Sequence, residues 1–266
     1  MDSNGIWGDL AVTDYVDTDR NMRRSISRRL FIFVLVFIFL TLVSFWAWVH
    51  RIDAAQANVP AVVKMAMPSV VDVGCRGYGG TGVAMNIPVP KGYKSAIISS
   101  AHVFENCDKG DTVYVTYEGR DYRGYLAGKD PIRGNYTEGR DMALVYVKFN
   151  LPGLDPAPEA SIGDWAIAIG DPYEHINYVT FGIITEVTKD EYGTDAAINH
   201  GNSGGPLLDS SGRVLGIVSY GEMYPDQFEG NAEGIVDRAD GMNYAKRLRL
   251  SCAEIFDNAP SCPFRD

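Results

Sequence analysis

Residues 201–207, Gly201-Asn202-Ser203-Gly204-Gly205-Pro206-Leu207, are the most informative stretch of this sequence. A nucleophilic serine needs a sharp turn that exposes its hydroxyl and aims backbone N–H groups at a developing oxyanion. The glycines around Ser203 permit such a turn, because a residue without a Cβ tolerates positive φ. The N–H groups of Gly201 and Ser203 are the natural oxyanion donors. An ordinary Asn-Ser-Gly turn between two strands remains the alternative.

A nucleophilic serine also needs a base, and the chain offers four histidines: His50, His102, His175 and His200. His50 abuts a long apolar run. His102 directly follows the apolar segment of residues 97–101, IISSA, which is predicted to be a strand. A strand end holds a side chain rigidly, as a general base requires. A lone histidine is more often a surface or core residue, so His102 is a candidate only together with partners.

The candidate that orients this base is Asp141, one of ten aspartates between His102 and Ser203. Residues 142–147, MALVYV, follow it and are predicted to form a buried strand. An acid that opens a buried strand is costly unless it has a partner. The other aspartates are predicted to lie in polar turns.

Short β-rich segments separated by Gly, Pro and Asp extend from about residue 61 to residue 250. The predicted strands are residues 69–74, 95–100, 112–117, 142–149, 165–169, 178–187 and 213–220. Many short strands at this spacing predict a β-barrel or a sandwich. The segment 241–256 is predicted to be a helix, because Tyr244, Leu248 and Cys252 recur at i, i+4 spacing.

Five segments together resemble the chymotrypsin-like serine proteases, in particular their HtrA/Deg-type branch. They are residues 80–84 (GTGVA), 100–103 (SAHV), 141–144 (DMAL), 169–172 (IGDP) and 196–208 (AAINHGNSGGPLL). The order His, Asp, Ser is that of this family. The resemblance implies an all-β fold of two packed six-stranded antiparallel barrels with the active site between them. His102 is then base and acid, Asp141 orients it, and Ser203 is the nucleophile.

The sequence departs from the family pattern at several points. His200 stands where the family commonly has proline, and it is either an exposed loop residue or a substrate contact. Asn202 replaces the aspartate that trypsin-type enzymes pair with a new N-terminus, so that activation route is not expected. Only 63 residues follow Ser203, and the second barrel needs them, so no PDZ domain is expected.

By resemblance, a substrate pocket is predicted around seven residues. Ala197 and Ile198 form its base, His200 lies at the cleft entrance, and one wall comprises Val218, Ser219, Tyr220 and Gly221. None of these is a carboxylate, so a small or medium apolar side chain is favoured over Lys or Arg. Residues 222–231 form a loop that can reshape this pocket.

Residues 30–49, LFIFVLVFIFLTLVSFWAWV, are 20 residues without a charge. At ~1.5 Å rise per residue they reach ~30 Å, the thickness of a bilayer core, so they predict a transmembrane helix rather than a buried core helix. Five arginines precede the run within residues 20–29, which places residues 1–29 in the cytoplasm as a disordered tail. The remainder is then extracytoplasmic, periplasmic or extracellular. A retained anchor is favoured, and cleavage near Ala57 stays open because Ala55-Gln56-Ala57 matches a signal-peptidase site.

The balance of charge bears on partners. The chain has 266 residues and a net charge of -10, whereas a general nucleic-acid binder carries a basic field. After the span, residues 50–60 are predicted to be a linker, residues 61–250 the protease domain and residues 251–266 a tail. The predicted partners are protein or peptide substrates and the membrane. No cofactor or metal is expected.

Four cysteines, Cys75, Cys107, Cys252 and Cys262, fall on the predicted outer side, where disulfides persist. Four cysteines allow three connectivities, and the pairing Cys75–Cys107 with a tail bridge Cys252–Cys262 is predicted. Zinc is the weaker alternative, because no CxxC pair is present. Four free thiols are expected if the outer location is wrong.

These features predict a membrane-anchored serine endopeptidase of extracytoplasmic proteins, in protein quality control or regulated processing. The alternative is a catalytically silent pseudoprotease that binds proteins without cutting them. Oligomeric state and natural substrate are not predicted.

Overall fold

The computed structural model describes residues 28–46, 58–131, 139–171, 178–224 and 237–248, without the side chains of 223–224 and 237–240. The chain divides into two compact units, Met1–Gln56 and Ala57–Asp266. In the first unit, helix α1 (Arg28–Trp46) is long and apolar enough to cross a membrane. Its large apolar side chains are exposed. The predicted span of 30–49 is therefore helical as far as Trp46, and its last three residues lie outside the described part.

The second unit begins with helix α2 (Val59–Ala66), which is followed by a 3-10 turn, Met67–Ser69. Asn58 caps α2 by accepting the N–H of Ala61 at 3.2 Å, and Pro60 occupies the first turn, where its missing N–H costs nothing. Of the predicted linker of 50–60 the structure describes only the last three residues, and Val59 and Pro60 already belong to α2.

The first barrel is a closed six-stranded antiparallel sheet in the order β1-β2-β3-β6-β5-β4. Strand β3 is buried along its whole length, which fits its apolar and small side chains. The strands are β1 (Val70–Cys75), β2 (Tyr78–Met85), β3 (Ser95–Ser100), β4 (Thr112–Tyr117), β5 (Arg120–Lys129) and β6 (Met142–Val147).

The second barrel is also closed and antiparallel, in the order β10-β11-β12-β9-β8-β7. Its strands are β7 (Trp165–Gly170), β8 (Tyr178–Val187), β9 (Glu191–Thr194), β10 (Pro206–Leu208), β11 (Val214–Tyr224) and β12 (Asp237–Arg247). The two barrels confirm the predicted fold class.

The predicted helix over 241–256 is wrong where the structure describes it. Residues 241–247 belong to β12, which pairs with both β9 and β11. Pairing on both edges closes the barrel and satisfies the backbone N–H and C=O groups of β12 on both sides, which outweighs an apolar i, i+4 spacing of three residues. Residues 249–256, including Cys252, lie outside the described residues.

The two barrels share one apolar core. One cluster contains Val83 and Ile98 of the first barrel together with Ile167, Leu208 and Ile217 of the second. Each barrel also has a cluster of its own. The shared cluster holds the ends of β3 and β10 close together, and the site lies there.

The segment that connects β6 to β7 is paired with both barrels. Leu154 donates its N–H to Ala84 at 2.9 Å and accepts that of Asn86 at 2.9 Å. Within the next three residues, the N–H of Ala157 donates to Val214 at 2.8 Å, and the N–H of Val214 donates to Asp155 at 2.9 Å. The connection is therefore a fixed part of both sheets.

Candidate active site

Asp141 and His102 form a two-point contact at the end of the first barrel. The Oδ2 atom of Asp141 lies 2.7 Å from Nδ1 of His102, and its Oδ1 atom accepts the backbone N–H of His102 at 3.0 Å. Asp141 is 4% exposed, so the carboxylate is buried against its partner. This geometry fixes the ring orientation and leaves Nε2 as the ring nitrogen directed away from the carboxylate.

The register of the first barrel brings these two residues together. Ser100, the last residue of β3, pairs with Met142, the first residue of β6. His102 then lies on a 3-10 turn, Ala101–Phe104, in which Phe104 is fully buried. Asp141 adopts a φ of 47°, which is uncommon for a residue other than glycine and marks a locally constrained backbone.

Ser219, on β11, links the carboxylate to the candidate nucleophile. Its hydroxyl donates to Oδ2 of Asp141 at 2.5 Å. Its backbone carbonyl accepts the hydroxyl of Ser203 at 3.3 Å. The sequence predicted only a pocket wall for Ser219, and no pattern along the chain could reveal this contact across 78 residues.

Ser203 lies on a tight turn between two glycines in the left-handed region, Gly201 at φ 99° and Gly204 at φ 87°. Gly204 donates its N–H to Val218 at 2.8 Å. A Cβ at Gly204 would lie 2.1 Å from both the carbonyl oxygen of Thr81 and Oγ of Ser99. Only glycine therefore lets the turn pack this closely on β2 and β3, beside the segment that carries His102.

The predicted oxyanion donors are available in this turn. Neither the N–H of Gly201 nor that of Ser203 has an acceptor among the described residues. The intervening N–H, that of Asn202, turns back to Asn199 at 3.0 Å. The turn thus leaves two N–H groups for a ligand oxygen.

The seven predicted pocket residues divide into two groups. Ile198 and Val218 belong to the core of the second barrel, and Ser219 is 3% exposed. Ala197 and His200 are exposed, and Tyr220 and Gly221 are partly so. The side chain of Tyr220 is fixed from behind, because its hydroxyl donates to Oε1 of Glu191 at 3.1 Å and its ring stacks on Tyr244.

The structure contains the predicted Cys75–Cys107 disulfide, with a Cα–Cα distance of 6.3 Å. Both cysteines are buried at 2% exposure, and Cys107 follows His102 by five residues. The bridge joins the end of β1 to the segment after His102. Cys252 and Cys262 lie outside the described residues.

Sequence reasoning missed the role of Asp130. It is 3% exposed, pairs with Arg140 at 3.1 Å and accepts the N–H of Met142 at 3.2 Å. Asp130 was expected in a polar turn, yet it holds the start of β6 beside Asp141. The nearby basic residue Arg140 is the signal that points to a buried partner.

Sequence reasoning also missed a pair of carboxyls behind the site. Asp72 of β1 and Asp171, which follows β7, line a cavity of about 350 Å³, together with Lys64, Tyr117 and Glu118. Burial, the charge of Asp171 and a side-chain hydrogen bond to Asp171 raise the pKa of Asp72 from 3.8 to about 7. Two carboxyls this close cannot both ionise cheaply.

The two barrels, with a buried carboxylate on a histidine and a serine on a glycine turn between them, define the chymotrypsin-like class of serine-protease fold. Residues 80–217 match the family model for the trypsin-like peptidase domain, and the chain belongs to that family. The match includes His102, Asp141 and Ser203.

Relatives and solved structures point to the HtrA/Deg-type branch. The chain is 31% identical over 192 residues to the serine endoprotease DegS of Escherichia coli K12, which covers 62% of this chain and 49% of that protein. It is 36% identical over 151 residues to a probable periplasmic serine endoprotease, DegP-like, of Chlamydia pneumoniae, covering 52% of this chain and 28% of the relative. The chain thus spans half or less of these relatives. The serine endoprotease of Yersinia pestis superimposes with a TM-score of 0.57 at 28% identity, covering 74% of this chain and 65% of the other.

Proposed function

We propose that this protein is a serine endopeptidase that uses His102, Asp141 and Ser203 to hydrolyse peptide bonds. The observation that carries the proposal is the contact of 2.7 Å between Asp141 and Nδ1 of His102, with the turn of Ser203 packed against the same strand end. An imidazole fixed through one nitrogen by a buried carboxylate is suited to general base catalysis through the other.

The proposed reaction proceeds through an acyl-enzyme. The hydroxyl of Ser203 exchanges its hydrogen bond to Ser219 for one to Nε2 of His102, which takes the proton as Oγ attacks the scissile carbonyl. The N–H groups of Gly201 and Ser203 stabilise the oxyanion, and Asp141 stabilises the imidazolium. The C–N bond then breaks as His102 protonates the leaving amine. In the second half of the reaction, His102 takes a proton from water as the water attacks the acyl-enzyme ester. The ester bond then breaks, and Ser203 regains its proton from His102 as the carboxylic acid product leaves.

The proposed preference is for a small or medium apolar residue before the cleaved bond. Ala197 and His200 are exposed and lie shortly before Ser203 in sequence, Gly221 of β11 is partly exposed, and none of the three presents a carboxylate. A buried or partly buried Lys or Arg side chain needs a charged partner.

The proposed location is extracytoplasmic. Helix α1 anchors the chain, residues 1–29 face the cytoplasm, and the protease domain of 61–250 faces outward. The curated relative of Chlamydia pneumoniae is named periplasmic, and the Cys75–Cys107 bridge suits an oxidising compartment. The proposed substrates are proteins of that compartment, cleaved in quality control or regulated processing.

The full-length chain in detergent tests this proposal against an unfolded protein substrate, with Ser203→Ala as the matched variant. We expect the wild type to cleave the substrate and to be labelled by a fluorophosphonate. The kcat of Ser203→Ala should be at least a thousandfold lower, and its thermal unfolding temperature should be unchanged. Binding of the unfolded protein without cleavage or labelling would favour the pseudoprotease alternative.

A further inference from the structure

Thr81 of β2 contacts both ends of the turn that carries Ser203. Its hydroxyl donates to the carbonyl of Gly201 at 2.7 Å. Its backbone N–H donates to the carbonyl of Ser203 at 2.9 Å. Thr81 itself has no exposed surface, whereas Gly201 and Ser203 are partly exposed, so both bonds join a buried donor to the partly exposed turn. One residue of the first barrel therefore holds the backbone on either side of Asn202.

The hydroxyl of Thr81 has a defined orientation. It accepts the backbone N–H of Asp171 at 3.0 Å, which directs its own proton toward Gly201. The carbonyl of Thr81 is fixed as well, because it accepts the hydroxyl of Ser99 at 2.7 Å. The carbonyl of Thr81 is thus held by β3 and its hydroxyl by the residue after β7, so the hydroxyl cannot turn away without losing a bond.

The methyl group of Thr81 plays a separate part. A Cβ at Gly205 would lie 3.2 Å from the Cγ2 atom of Thr81, so this methyl packs against the turn. The side chain therefore fills space with its methyl and holds the carbonyl of Gly201 with its hydroxyl. Substitutions can separate the two roles.

Gly201 needs such an external restraint more than other residues. A glycine populates positive φ readily but has no side chain to hold its peptide groups in one orientation. Its N–H must point at the position of the oxyanion, about 2.7–3.1 Å away, to contribute to catalysis. Fixing the carbonyl of Gly201 restricts the rotation of this residue at a position where flexibility would cost rate.

We propose that Thr81 is a positioning residue for the oxyanion turn, acting through its hydroxyl bond to the carbonyl of Gly201. The inference rests on the proposed function, since it concerns the rate of the same reaction. The first barrel, which already carries His102 and Asp141, thus also positions the oxyanion N–H donors of the second barrel through Thr81.

Two variants of the full-length chain in detergent test the proposal. Thr81→Val keeps the shape and the methyl but removes both bonds of the hydroxyl. Thr81→Ser keeps the hydroxyl and removes the methyl. We expect kcat of Thr81→Val to fall about 10- to 100-fold and its KM to stay within about twofold of wild type. A misplaced N–H donor stabilises the transition state less but leaves substrate binding unchanged. We expect Thr81→Ser to stay within about threefold of wild type.

Two further measurements separate positioning from damage to the fold. In the first, rates are normalised to the concentration of active sites titrated by a fluorophosphonate. In the second, the affinity for a peptide aldehyde, which forms a tetrahedral adduct with an oxyanion, should fall in Thr81→Val by the same factor as kcat. Thr116→Val is the matched control. It removes a threonine hydroxyl that donates to Asp121 at 2.7 Å on the exposed side of the same barrel, and we expect wild-type kcat.

The possible outcomes are distinct. A folded Thr81→Val protein with wild-type kcat, or a loss explained entirely by fewer titratable sites, would overturn the proposal. If Thr81→Val does not fold, Thr81→Ala removes the hydroxyl without a bulky replacement and must show the same loss in kcat, or the proposal fails. A wild type that neither cleaves nor labels would refute the proposed function instead.

Discussion

Ser219 donates its hydroxyl to Oδ2 of Asp141 at 2.5 Å, so a residue of the second barrel holds the carboxylate of the first. The same oxygen lies 2.7 Å from Nδ1 of His102. The orientation of the imidazole therefore depends on both barrels, although His102 and Asp141 belong to one of them.

Removing this donor should lower the rate without unfolding the protein. We expect Ser219→Ala to reduce kcat/KM about tenfold, which corresponds to about 1.4 kcal/mol of transition-state stabilisation. Ser95→Ala is the control, since Ser95 is a buried serine that bonds to Phe149 at 3.0 Å within the first barrel. It should cost stability but keep the rate per titrated site. Equal values of kcat/KM for Ser219→Ala and wild type would show that Asp141 orients His102 without the hydrogen bond from Ser219.

A methyl group at Gly204 should disrupt the turn of Ser203. Gly204→Ala combines a φ of 87° with contacts of 2.1 Å to backbone and side-chain oxygens, so we expect a loss of about 3 kcal/mol or more in unfolding free energy and no measurable hydrolysis. Gly119→Ala is the control, because Gly119 has a φ of 69° and open space around it. Denaturant unfolding should give a loss of only about 1–2 kcal/mol there. Similar losses for both variants would contradict the argument from close packing.

The stability of the protein should depend on the ionisation of Asp72. The pKa of Asp72 is about 7 in the folded chain and near 3.8 when unfolded. Between these values the folded state holds the extra proton, so this group makes the unfolding free energy fall as the pH rises from about 4 to 7. Asp72→Asn should therefore stabilise the protein at pH 8, by about 1–2 kcal/mol because the half-buried carboxyl is partly screened, and by little at pH 4.

Thermal unfolding of wild type and Asp72→Asn across pH 4–8 measures this difference. A difference that stays constant with pH would show that the pKa of Asp72 is not raised by burial and by Asp171 in the folded chain.

The disulfide should contribute substantially to stability. Cys75 and Cys107 are 32 residues apart, and closing a loop of this size is worth ~3–4 kcal/mol in the chain-entropy model. The double variant Cys75→Ser/Cys107→Ser should unfold at a lower temperature and lose some activity through a looser His102 segment. Non-reducing peptide mapping should recover the peptide pair Cys75–Cys107 and, as predicted from sequence, Cys252–Cys262. A Cys75–Cys252 peptide would refute the pairing.

The predicted orientation can be measured with thiol labelling. In intact cells, a cysteine placed at Ser3 should be protected from an impermeant reagent, whereas one placed at Asn258 should react once the native cysteines are removed. The reverse pattern would refute the orientation. A mature N-terminus at Asn58 would show instead that the apolar segment is a cleaved signal.

Much of the fold could be predicted from the sequence, because short β-rich segments separated by Gly, Pro and Asp are visible in the local composition and the family resemblance implies two barrels. The catalytic roles of His102, Asp141 and Ser203 stay predictions. The strands over 95–100, 112–117 and 178–187 have the predicted bounds. Strand β2 was missed because its glycines disguise it, although Gly80 and Gly82 are there to let other segments approach closely. Strand β12 has the apolar i, i+4 spacing of a helix, and its pairing with both β9 and β11, which makes it a strand, is not visible in that spacing.

The contacts that complete the site could not be predicted for the same reason. Ser219 bonds to Asp141 across 78 residues and Thr81 bonds to Gly201 across 120. Only the closure of both barrels creates these distances. The burial of Asp130 could not be predicted from the residues next to it in sequence. It depends on the ion pair with Arg140 and on the N–H of Met142 at the start of β6.

The segment that connects β6 to β7 holds the two barrels in one relative position and does not act as a hinge. Opening the cleft by swinging one barrel away from the other would break the backbone bonds that Leu154 makes to β2 or those between Val214 and the segment 155–157, and would expose the shared apolar core to water. We therefore expect the two barrels to keep one relative position while a substrate binds, and adjustments around Ser203 to be limited to single peptide groups and side chains.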